Sequence, residues 1–174
     1  MTAQRQERNG SRSGMEFRPG IAVILLLASL GSQAFPQFAA RAATTERVVV
    51  NRYSGVAIEG FDPVAYFVDA RPLVGLPEFE ASDAGAVWRF RNEGNRASFV
   101  ARPDIYGPQF GGYDPIDLAR GVTFAGNPRF WLISGQRLYL FGREDNRDAF
   151  AAAPERFLRQ AKLRWPALEQ GLAQ

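Results

Sequence analysis

The chain has 174 residues, no Cys, no His and a formal net charge of +3 at pH 7, a length that suits one domain plus a leader. Residues 1–42 hold five Arg against two Glu, which is the whole +3, so the rest carries 16 basic and 16 acidic residues and lacks the basic footprint that nucleic acid requires. Both methionines, Met1 and Met15, fall in the leader, so the domain has none of the soft ligands that hold Zn, Cu or Fe–S centres, no disulfide, and no Ser-His-Asp or Cys-His arrangement.

The leader comes first. Arg5, Arg8, Arg12 and Arg18 precede an apolar run from Ile21 to Leu30, and small residues follow it. This is the order of a secretory signal peptide, and the run is too short to span a bilayer. Cleavage is expected after Ala34 or Ala42, and residues 1–14 read as a polar extension if Met15 is the true start. The predicted location is the periplasm, with contact to the inner membrane only through an uncleaved leader. Residues 43–54 read as a tether with an edge strand at Val48–Val50.

The domain is predicted to run from residue 55 to 174. Asp62-Pro63 is a helix-start signal, because Asp accepts bonds from free N–H groups and Pro loses none there. A helical turn through Val64-Ala65-Tyr66-Phe67 should follow. Glu78 to Ala81 and Ala86 to Phe90 read as a β-hairpin. Asn95 is expected to cap a helix from Arg96 to Val100 that ends before Pro103. Gly107 to Gly112 then forms a tight turn rich in residues that permit φ > 0.

The same order returns. Asp114-Pro115 starts a turn through Ala119, Phe130 to Ile133 and Arg137 to Phe141 form a hairpin, and Asp145 or Asn146 begins a helix. The apolar face of that helix continues past Pro154 through Phe157, Leu158, Ala161 and Trp165. Gly60-Phe61-Asp62-Pro63-Val64 recurs as Gly112-Tyr113-Asp114-Pro115-Ile116, displaced by 52 residues, and Asn95-Arg96-Ala97-Ser98-Phe99 as Asn146-Arg147-Asp148-Ala149-Phe150, displaced by 51. A near-constant displacement implies two copies of one supersecondary unit. The expected fold is α+β: two tandem β-hairpin–helix units, 55–106 and 107–174, related by a pseudo-twofold and sharing one antiparallel sheet. The chain's fourteen Phe, three Trp and five Tyr, most of them within this span, make a core without disulfides plausible.

Several stretches resemble the YHS-domain family of small bacterial proteins. They are Val56 to Phe67, Trp88-Arg89-Phe90 with Asn95-Arg96 and Phe99, Pro103 to Tyr113, Leu138-Tyr139-Leu140, and Trp165-Pro166. The resemblance covers about residues 55–168. It implies the family's small α+β fold and an association with metal, for which the family pattern places a Cys directly after Gly-Gly-Tyr. Here that position is Asp114, followed by Pro115, so the soft ligand is missing and a soft-metal site is expected to be lost.

The candidate site residues are Asp62, Asp114, Arg96, Arg147, Gln109 and Tyr113. Asp62 and Asp114 read first as N-caps, each worth about 1 kcal/mol. Brought together by a pseudo-twofold they would make a hard-cation site or an acid/base pair. Arg96 and Arg147 offer a guanidinium to each Asp-Pro turn, or together an anion site. Gln109 and Tyr113 flank the Gly-Gly turn, where a ligand can approach the backbone closely and where a pocket is expected. The reading is an exported, non-enzymatic, YHS-like binding module with no cofactor, whose partner is a small ligand or a periplasmic or membrane protein. An assembly protein docking on a membrane complex and a carboxylate-dependent hydrolase or hard-cation binder are the alternatives.

Overall fold

The computed structural model describes residues 47–172. The expected signal peptide, its cleavage sites and residues 43–46 of the expected tether lie outside the described residues. These comprise two small antiparallel two-stranded sheets and six helices. In chain order they are α1 (Ala65–Val68), β1 (Leu76–Asp83), β2 (Ala86–Phe90), α2 (Glu93–Ala101), α3 (Pro103–Tyr106), α4 (Pro115–Ala119), β3 (Asn127–Ser134), β4 (Arg137–Phe141), α5 (Glu144–Ala152) and α6 (Pro154–Leu172). Short 3₁₀ turns at Ile58–Gly60 and Gln109–Gly112 precede α1 and α4. No described helix is long and apolar enough to cross a membrane.

The single shared sheet does not form. β1 pairs only with β2 and β3 only with β4, each hairpin carrying an irregularity in register near its open end. The outer edge of each second strand is met by the opening segment of its own half. Val56 bridges in parallel to Val87, and Pro108 to Leu138. Ala57 N–H donates to Val87 O and Val87 N–H to Gly55 O. These bridges occupy part of the edge along which the two hairpins would have had to join.

Two helix boundaries also differ from expectation. Asn92, not Asn95, caps α2, its side chain accepting from Asn95 N–H. The final helix is two helices, because Ala153 precedes Pro154 and adopts φ −152°, ψ 61°. Arg102 before Pro103 adopts nearly the same geometry, φ −143°, ψ 61°. The proline ring clashes with a helical residue ahead of it and ends α2 and α5 at equivalent places.

Residues 48–51, expected in the tether, are part of the domain. Val48 is buried, Val49 N–H donates to Gly111 O, and Val50 bridges to Ala57. The main core gathers Ile58, Tyr66, Trp88, Phe90 and Phe99 around Leu138 and Leu140 of β4. Tyr139 and Phe141, on the other face of β4, pack with Phe150 and Leu158. β4 is thus covered on both faces, whereas β2 buries Ala86, Trp88 and Phe90 and turns Val87 and Arg89 outward. Tyr66 ties the repeats together, its hydroxyl donating to Pro128 O at 2.8 Å and its ring meeting Trp131 edge-on at 5.2 Å.

Candidate functional site

Asp62 and Asp114 are fully buried, and each is enclosed by four donors. Oδ1 of Asp62 accepts from Val64 N–H at 2.8 Å and Ala65 N–H at 3.3 Å; Oδ2 accepts from Arg91 N–H at 2.7 Å and Asn95 Nδ2 at 2.6 Å. Asp114 repeats this arrangement with Ile116 N–H, Asp117 N–H, Gly142 N–H and Asn146 Nδ2 at 2.8, 3.4, 2.8 and 2.7 Å. One oxygen caps the helical turn, and the other fastens the end of the second strand to the helix after it. A buried carboxylate is tolerated when donors replace its hydration, and here the donors are mostly main chain. Every bond of each aspartate side chain lies within its own half of the domain, so the two share no partner.

The expected guanidinium–aspartate pairs are not made. Arg96 binds Glu93 through both Nε and Nη2, at 2.8 and 2.6 Å, and Arg147 binds Glu144 and Asp148. A glutamate one turn earlier on the same helix reaches the arginine with less loss of side-chain freedom than a buried aspartate. Those hydrogen bonds lower the carboxyl pKa of Glu93 and raise the guanidinium pKa values of Arg96 and Arg147. The two arginines each serve their own helix, so no shared anion site is formed from them.

Asp117 was not singled out by sequence reasoning. It is 6% exposed and binds Arg120 at 3.0 Å, Arg143 at 3.1 Å and Asn146 Nδ2 at 3.3 Å. Its signal is a departure from the repeat, since the residue 52 positions earlier is Ala65. The second repeat therefore holds a charged network where the first is apolar.

Gln109 lines a cleft of about 330 Å³ between the Gly107–Gly111 segment, the end of the first hairpin and α6. Trp88 and Phe99 form its floor, and Phe110 and Trp165 its wall, meeting edge-on at 5.7 Å. Phe110 has φ 56°, a left-handed conformation rare for a bulky residue, which sets its ring between Tyr139 and Trp165. Gly111 follows with φ 63°, and a Cβ there would overlap the carbonyl of Arg47. The chain thus passes close over a glycine at the edge of the cleft. Asp83, Asp104, Glu169 and Arg47 also line it.

Tyr113, expected beside Gln109, lines a different depression with Val49, Phe124 and Leu172. Its ring lies against Trp165, with centroids 5.9 Å apart. That depression and two others, of 380 to 390 Å³, have at most two aromatic side chains each, against four lining the Gln109 cleft. Among the described residues no group of three or more carboxylates, His or Cys is placed to hold a metal ion. The geometry can hold a small molecule against aromatic surface; it offers Gln109, main-chain groups and separated carboxylates as polar contacts.

No family model, curated protein or solved structure matches this chain.

Proposed function

We propose that the chain is an exported, non-enzymatic binding module of YHS type, and that its ligand site is the aromatic cleft beside Gly107–Gly111. One observation carries this reading: half-buried Phe110 and Trp165, over buried Trp88 and Phe99, line a cleft of small-molecule size at the glycine-rich turn between the two motif copies. The carboxylates that a hydrolase would use are meanwhile committed to holding helix and strand ends. Export rests on the leader sequence, and membership of the YHS family on the motif stretches from Val56 to Pro166.

Duplication about a pseudo-twofold is part of the proposal. It is supported by the repeated order of elements at a displacement near 51 residues and by the matching four-donor shells of Asp62 and Asp114. The residues present do not fit the soft metal that the family resemblance implies. The chain has no Cys or His, and the carboxylate of Asp114, where the family pattern has Cys, already accepts four hydrogen bonds.

The test is a small-molecule screen of the unmodified domain by chemical-shift perturbation, repeated on Trp165→Ala. Shifts confined to Gln109, Phe110 and the indole of Trp165, and lost in the variant, are expected. A screen that moves none of these signals removes the cleft as a ligand site. Stoichiometric Cu or Zn binding that survives a competing chelator would overturn the metal-free reading.

A further inference from the structure

We infer that the cleft selects a small organic cation, an alkylated ammonium, over neutral or anionic ligands; this deepens the binding reading above and rests on it. The argument starts with the walls. Trp88 and Phe99 are 2% and 1% exposed, so an occupant meets little of them, and the accessible aromatic surface belongs to half-buried Phe110 and Trp165. Those two rings stand at 70° to each other. A cation whose charge is spread over several methyl groups gains from lying against aromatic surface of this kind.

The charges agree with the walls. Asp83 at the end of β1, Asp104 in α3 and Glu169 in α6 all line the cleft, against one cation, Arg47. Arg102 stands 3.6 Å from Asp104 and offsets part of that charge, yet the lining remains acidic. The domain as a whole is balanced, so this excess is local to the cleft. Focused in a partly enclosed space, it attracts cations and repels anions.

The spacing decides between an ion and an organic cation. The three carboxylates come from three separate elements and do not form a group that could ligate a metal. A divalent ion needs several oxygens within about 2.5 Å. A diffuse cation needs only the field, with its desolvation offset by the rings. A volume of about 330 Å³ holds a trimethylammonium group with a short polar tail, and Gln109 is placed to meet that tail.

The test uses the cleft's own tryptophans. Trp131, the third, packs on Tyr66 rather than lining the cleft, so a Trp131→Phe chain reports from Trp88 and Trp165 by fluorescence. That chain is titrated with choline and with 3,3-dimethylbutan-1-ol, which has the same shape without the charge. Choline is expected to bind about tenfold more tightly than the alcohol. Trp165→Ala should weaken choline at least tenfold, and Glu169→Gln should weaken it several-fold while leaving the alcohol unchanged. Calorimetry on the unmodified chain makes the same comparison if Trp131→Phe perturbs the fold. Equal affinity for the two molecules, or tighter binding of the alcohol, overturns the cation inference and leaves the cleft as a ligand site. Absence of binding by either molecule also overturns it, and the broader screen then decides whether the cleft binds anything.

Discussion

At the scale of single residues, four donors hold each of the buried carboxylates of Asp62 and Asp114. Removing the carboxylate would leave main-chain N–H groups and an Asn amide buried without partners. Asp114→Ala should therefore cost about 3 kcal/mol or more, read as a fall in the urea midpoint at unchanged slope, and Asp62→Ala should behave alike. Arg96→Ala and Arg147→Ala should leave the midpoint where it is, because both guanidinium groups are solvated and bonded only within their own helices. Tyr66 adds a pH dependence. Burial, and after it the charge of Asp62, raises its phenol pKa well above the ordinary value of 10.0. The folded chain then keeps a proton that the unfolded chain loses above about pH 10, so stability is complete below that pH and falls as pH rises past it. Tyr66→Phe should flatten that alkaline decline while costing about 1 kcal/mol at pH 7 for the lost bond to Pro128. Denaturation midpoints at pH 7 and pH 11 check both effects.

At the scale of elements, the same position of the repeat does opposite things in the two hairpins. Arg89 in β2 points outward and pairs with Glu80 at 2.8 Å; its counterpart 51 residues later, Leu140 in β4, is fully buried. Leu140→Ala should cost about 2 to 5 kcal/mol, whereas Arg89→Ala should cost less than about 1 kcal/mol, since half-exposed ion pairs contribute little. Chemical denaturation of the two variants decides it. The pair also shows what was legible in the sequence. Trp-Arg-Phe alternates and announces a one-sided strand, and Tyr-Leu-Phe announces burial on both sides. Which partner covers the second face is a long-range fact that no local pattern states. The Asp-Pro turns were readable because their capping bonds span two or three residues. The bonds from Asn95 and Asn146 span 33 and 32 residues, and those side chains read as caps when taken locally. The shared sheet failed as an expectation for a related reason: hairpins signal their own strands but not who takes their outer edges, and Val56 and Pro108 take them here. The glycine-rich turn located the cleft through Gln109, while Trp165, 56 residues further on, gave no sign in the sequence that it would close the wall.

At the scale of the whole molecule, the two hairpin-bearing halves of the described residues form one interdependent body rather than two domains in series. Leu138 and Leu140 of the second repeat sit in the core built by Ile58, Trp88, Phe90 and Phe99 of the first. Tyr66 reaches across to Pro128 and Trp131. Trp165 packs on Phe110 and Tyr113 and completes the cleft whose floor comes from Trp88 and Phe99. A fragment of residues 47–106 would expose the face that β4 covers, and one of 107–172 would lose the covering of Leu138 and Leu140. Each would have about 60 residues and a single two-stranded sheet, too little buried surface to offset the entropy of ordering the chain. Both fragments should therefore be disordered in isolation, with collapsed amide dispersion in a proton–nitrogen spectrum. The described domain should unfold in one transition at the same denaturant concentration by fluorescence and by far-ultraviolet circular dichroism. Mixing the two fragments should restore dispersion and, with it, the Trp165 indole signal of the intact cleft. A first repeat that folds alone would show that its hairpin needs no cover from β4, and the cleft would then depend on docking of a separable second unit.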